Sequence, residues 1–204
     1  MKLIRTSLVL TLSNGGVCIL GDFLVELNKE SAIRKAICDN ATHTMVGLLG
    51  ALIMILEKNH HRLPEIERIS LIVMTMFASS FIDVDHFLVA KSFKLSRAVA
   101  IDRRPFLHYA TIPLILLILM IPLYNYFNSP RLNVWLVMIV CAFLTHHTRD
   151  ATRRGFTFWP FGTTKPLPYI AYIVCIMIIP FILNKWEHLI TGHYHYGTLE
   201  IQTV

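Results

Sequence analysis

The chain has 204 residues, of which 54% are hydrophobic and only 16% charged, with a mean hydropathy of +0.55. That balance excludes an ordinary soluble domain and indicates a polytopic membrane protein. The formal net charge of +6 comes without any basic stretch interleaved with stacking aromatics, so no nucleic-acid partner is expected.

A bilayer span needs about 20 mostly apolar residues. Six candidates run roughly from Thr6 to Leu27, Ala32 to Leu56, Ile66 to Ala90, Tyr109 to Phe127, Leu132 to His147 and Tyr169 to Asn184. The first opens like a signal peptide, MKLIRTSLVLTL, but no A-x-A-like site follows, so an uncleaved helix is expected. It also carries Asn14, Gly15, Gly16 and Asp22, which makes it the weakest of the six. The fifth is short. The expected fold is all-α, a polytopic membrane bundle of five or six transmembrane helices forming one domain over residues 1–204. Cys18, Cys38, Cys141 and Cys175 lie in apolar segments with no C-x-x-C pair, so they read as reduced thiols.

The loops differ in character. The segment RDATRRGFTFWPFGTTKPLP, between the fifth and sixth spans, is rich in Gly, Pro and aromatics. It is expected to fold back on the bundle end as a lid. The loops after spans one, three and five carry twelve of the nineteen lysines and arginines. The positive-inside rule places that face in the cytosol and both termini on the lumenal or extracellular side.

The acid and imidazole groups concentrate at the same end. Asp22 closes span one, and Asp39, Asn40 and His43 open span two. Asp83, Asp85 and His86 close span three, His108 opens span four, and His146, His147 and Asp150 close span five. Each such group is costly in lipid, so five spans delivering them to one depth imply a shared polar site. Asp39 and His43 are i, i+4, as are His146 and Asp150, and Asp83 and His86 are i, i+3, so each pair shares a helix face. Asp85 points elsewhere unless the helix departs from regularity or a second ion lies beside the first. Asn40, Gly47 and Gly50 continue one stripe that permits close helix approach. A His plus carboxylate set suits zinc, manganese or iron. The bland alternative is a buried hydrogen-bond and salt-bridge network tying helix ends together. The tail GHYHYG reads as a disordered segment with adventitious metal affinity.

The succession DNATHTMVG, FIDVDHF, RRPFLH and THHTRDATRRGFTFWPFGTTKPLP resembles the transmembrane protein 267 family, from about Leu20 to Tyr169. It is more distantly similar to the bacterial YdjM-like membrane-bound metal-dependent hydrolases. Those carry an early His, a D-x-D-H, an H-R-G-x-T-H and an H-x-x-x-D before a Gly/Pro-rich segment. They are placed near zinc-dependent phospholipase C and single-strand nucleases. The resemblance implies divalent metal, zinc first, on His43, Asp83, His86, His108, His146 and Asp150, with Asp85 as a bridging ligand or general base. One departure stands out: Arg103 occupies the place of the first His of H-R-G-x-T-H. A cation cannot ligate a metal, so the site either holds fewer ions or has lost catalysis. Arg103, Arg104, Arg153 and Arg154 are candidates for a substrate phosphate.

The expected function is metal-dependent hydrolysis of a phosphoester at the cytosolic face of the lipid bilayer, with a phospholipid or lipid-linked phosphate as candidate substrate. The competing expectation is a non-enzymatic membrane protein whose polar cluster is structural, metal-binding or partner-docking. A coupled transporter would need broken helices near the midplane, whereas the polar groups here lie at helix ends.

Overall fold

The computed structural model describes residues 2–57 and 63–192; the expectation for the GHYHYG tail falls outside them. In chain order the elements are α1 (Lys2–Leu27), α2 (Ala32–Glu57), α3 (Glu65–Phe81), a 3-10 turn (Ile82–Val84), α4 (Asp85–Val89) and α5 (Leu95–Ala98). A second 3-10 turn (Phe106–His108), α6 (Thr111–Phe127), α7 (Pro130–Arg154), the two-residue strands β1 (Thr157–Phe158) and β2 (Gly162–Thr163), and α8 (Tyr169–Thr191) complete it. The fold is an all-α membrane bundle. Among the described residues, four helical segments are long and apolar enough to cross a bilayer: Arg5–Leu27, Ala32–Glu57, Glu65–Val89 and Tyr169–Thr191. α6 is apolar but shorter, at 17 residues.

α7 is the odd helix, and it organises the rest. It packs against α2, α3, α6 and α8, while α1 closes the far side against α2 and α8. Its start is fixed by Pro130 in the first turn and by Ser129, whose Oγ accepts the Leu132 N–H at 3.3 Å. It does not stop at His147, as the apolar pattern predicts. It runs on to Arg154 and carries His146, His147, Arg149 and Asp150 inside the bundle. It ends at Gly155, whose φ of +72° and close approach to the Thr164 carbonyl exclude a side chain.

α1 is continuous through its Gly and Asn residues. Asn14 is buried and donates to the Ile176 carbonyl of α8 at 3.4 Å, so its polarity is directed into the bundle. Leu8, Leu12, Ile19 and Phe23 face outward, as a lipid-facing surface requires. The α2–α3 contact depends on Gly47, where an added Cβ would lie 2.8 Å from Ser79 Cβ. That close approach lets Ser79 Oγ donate to the His43 carbonyl at 2.8 Å.

The Gly/Pro-rich segment does fold back. β1 and β2 pair antiparallel, the Ala110 N–H donates to the Thr157 carbonyl at 2.8 Å, and the Leu167 N–H donates to the Ala151 carbonyl at 2.8 Å. It lies beside the 3-10 turn that carries His108.

Candidate metal centre

Irregular backbone positions the acidic end of α3. After Phe81 the helix tightens into the 3-10 turn Ile82–Val84 and then resumes as α4. This change of winding brings Asp85 inward. It is fully buried, and its Oδ2 accepts the Leu107 N–H at 2.7 Å. Because Asp85 anchors the turn that carries His108, that histidine is buried too.

Four donor atoms from three segments converge. His108 Nε2 and His146 Nε2 lie 3.3 Å apart. Asp83 Oδ1 is 3.4 Å from the first and 3.5 Å from the second. Asp150 Oδ2 is 3.4 Å from the first and 3.9 Å from the second. The far nitrogens of both rings are held: His146 Nδ1 faces the Ser79 carbonyl at 2.9 Å, and His108 Nδ1 faces Asp85 Oδ2 at 3.4 Å. Burial works against a charge on His108, but the contacts with Asp83 and Asp85 outweigh it and raise its pKa to about 9.

His43 and His86 flank this set. The His43 ring stacks on His146 with centroids 3.7 Å apart, and its Nε2 lies 3.6 Å from Asp150 Oδ1, the carboxylate oxygen turned away from His108. His86 Nδ1 approaches Asp85 Oδ1 at 3.3 Å. Three overlapping triads have metal-competent atoms within 4.8 Å of one another: His43, His146, Asp150; Asp83, His108, His146; and Asp85, His86, His108. The structure thus brings all six predicted ligands and Asp85 to one place, as a chain of triads rather than around one point. His147 stands aside, its Nε2 on the Leu107 carbonyl at 2.8 Å.

The arginines divide. Arg153 makes a bidentate pair with Asp39, at 2.7 and 2.8 Å. Arg103, Arg104 and Arg154 line a pocket of about 500 Å³ with Tyr109, Trp159 and the hairpin. Arg104 and Arg154, with Arg153, also line a groove of about 960 Å³ together with Asp83, His86, His108 and Asp150. The walls of that groove include Ile33, Ile37, Phe87, Leu95 and Val99. The folded-back hairpin therefore borders the arginine pocket and contributes nothing to the groove.

Sequence reasoning missed Arg149. It is 1% exposed, beside the metal-competent set. Its Nη1 donates to Asp39 Oδ1 and lies 3.1 Å from His43 Nε2, and its Nη2 donates to Asp22 Oδ1 at 2.9 Å. A signal was available. Asp22 and Asp39 are two membrane-end carboxylates with no assigned counter-ion, and Arg149 is three residues past His146, on its helix face.

No solved structure matches the chain. Transmembrane protein 267 of Bos taurus is 31% identical over 181 residues, covering 87% of this chain and 81% of the relative. Its namesake in Xenopus laevis is 33% identical over 153 residues (74% and 67%), and that of Danio rerio is 28% identical over 188 residues (86% and 78%). The YdjM inner membrane protein family matches residues 38–199, which include every residue of the four-donor set. The chain therefore belongs to the YdjM inner membrane protein family.

Proposed function

We propose that the chain is a membrane-embedded, divalent-metal-dependent hydrolase of phosphoesters, working at the cytosolic surface of its bilayer with both termini on the opposite side. The observation that carries this reading is the set formed by Asp83, His108, His146 and Asp150. A tetrahedral ion with bonds of about 2.1 Å needs donor separations of about 3.4 Å, and five of the six separations in this set run from 3.3 to 3.9 Å. Metal-ligating imidazoles donate their other N–H to a carbonyl or carboxylate, as Ser79 and Asp85 allow here. Two imidazoles and two carboxylates make zinc the first candidate.

When bound, a divalent ion supplies Lewis acidity, lowering the pKa of a coordinated water towards about 7 and neutralising phosphate oxygens. The chain's own groups do the rest. Arg104, 3.8 Å from Asp150 and lining both cavities, is placed to hold a phosphate against the set. Asp85 is enclosed behind His108 and His86, so its role is positioning. His86 lines the groove with Asp85 behind it and is the group placed to take and return a proton at the reacting oxygen. Asp85 Oδ1 lies between His86 Nδ1, at 3.3 Å, and His108 Nδ1, at 3.2 Å, so the carboxylate orients both rings. The aliphatic groove wall supports a phospholipid or lipid-linked phosphate as substrate.

One observation favours a second reading. Four protein donors on one ion would leave no open tetrahedral position, which is how structural rather than catalytic zinc is held. On that reading the centre ties α3, α7 and the His108 turn together without turnover. Assay of a soluble phosphodiester and of phospholipid vesicles separates the two. Hydrolysis that needs added divalent ion and disappears in Asp83→Ala supports the enzyme. Metal binding without any turnover supports the scaffold.

A further inference from the structure

Five carboxylates gather at this end of the bundle: Asp22, Asp39, Asp83, Asp85 and Asp150. Three guanidiniums contact them. Arg149 meets Asp22 and Asp39, Arg153 meets Asp39, and Arg104 meets Asp150. Counting these contacting groups alone, with the imidazoles neutral as ligation would require, two negative charges remain, on the Asp83, Asp85 and Asp150 side. One divalent cation balances them and two would overshoot, which matters where burial makes uncompensated charge costly.

The contacts of Arg149 say where a second ion would have gone. Asp22 Oδ1 on α1, and Asp39 Oδ1 and His43 Nε2 on α2, all face its guanidinium nitrogens. Two carboxylates and an imidazole that share one cation are the residue types a divalent ion would use. Here an arginine fills it. Nη1 donates to Asp39 and lies 3.1 Å from His43 Nε2, so when it donates there too it occupies the lone pair that His43 would otherwise offer in its triad with His146 and Asp150.

We infer that the Arg149 guanidinium takes the place of a second cation, so that the centre holds one divalent ion, and that removing this side chain opens a second ion site on Asp22, Asp39 and His43. The inference rests on the metal-centre reading above. It makes Arg149 a positioning residue. Arg104 then has a definite role, because with one ion present the second positive charge on a substrate phosphate must come from a side chain.

The test is the zinc content and zinc-binding isotherm of the purified full-length chain, compared with Arg149→Met and Arg149→Lys. The expected results are about one tightly bound zinc per chain for the parent and for Arg149→Lys, and a second, weaker binding event in Arg149→Met. Two tight ions in the parent would overturn the inference and leave the metal-centre reading standing. No ion in the parent would overturn both. If Arg149→Met folds only with zinc present, at two ions per chain, the inference holds. If it folds and still binds one, the inference fails. His43→Gln gives an independent check that keeps Arg149 in place. It should still hold one zinc, and loss of that ion would overturn the placement of His43 outside the set.

Discussion

Two polar clusters lie side by side at one end of this bundle and solve the same problem in opposite ways. The Asp22, Asp39, Arg149 and Arg153 cluster neutralises its carboxylates from within, each acid facing a guanidinium at hydrogen-bond distance. The Asp83, Asp85 and Asp150 cluster has imidazoles as its near neighbours and, among the described residues, Arg104 as its ion-paired guanidinium, 3.8 Å from Asp150. The first is complete as the chain folds. The second has donors whose charge is left for a ligand to balance. Buried charge of one sign is what makes the second cluster the candidate for a metal ion and the first a structural ion network of the same residue types.

The largest expected effect comes from removing a donor. Asp83→Ala or His146→Ala should weaken divalent-ion binding by on the order of a thousandfold or more, read by isothermal titration, because a four-donor site loses a quarter of its ligands. Arg149→Ala should come next, on folding. Deleting one partner of a buried ion cluster leaves uncompensated carboxylates and costs about 3–5 kcal/mol, measured as loss of folded protein in detergent, with Arg149→Lys recovering part of it. Arg153→Ala should cost much less, since that side chain is 41% exposed.

The His108 environment gives a pH dependence in the metal-free chain. Its folded-state pKa of about 9 lies above the unfolded value of 6.5. The stabilisation is therefore fully present below about pH 6.5 and lost as pH rises through about 9. The ceiling is about 3 kcal/mol for a shift of this size. Thermal unfolding of chelated protein should show a falling midpoint between pH 6.5 and pH 10, and His108→Gln should flatten it. Asp85→Asn probes the support of the open cluster. It keeps the shape but weakens the hold on His108 Nδ1, and should cost about 10–100-fold in metal affinity.

The convergence was legible in the sequence because charge in lipid is expensive and each acid or imidazole sits at a span end. That reasoning gathered the polar residues of five span ends, and the family resemblance narrowed them to positions 43, 83, 86, 108, 146 and 150. The finer partition was not legible. Helical spacing sets Asp83 and His86 on one face and leaves Asp85 off it, and only the 3-10 turn at Ile82–Val84 turns Asp85 inward. The end of α7 was obscured for a related reason. THHTRDATRR has no apolar run, so hydropathy stops the span at His147, although α7 is shielded by neighbouring helices and can carry polar residues to Arg154. Arg149 was hidden by loop bookkeeping: counted as a positive charge on one membrane face, it is instead a buried counter-ion. Arg103, the departure from the family pattern, proves to line the arginine pocket, and the four-donor set is complete without it.

The most direct test of the central claim is the divalent-ion content of His146→Gln and His43→Gln, purified side by side with the parent. The two rings stack at 3.7 Å, yet only His146 belongs to the proposed set. About one ion is expected in the parent and in His43→Gln, and less than about a tenth of an ion in His146→Gln. Equal loss in both variants, or a parent that binds no divalent ion, would contradict the claim.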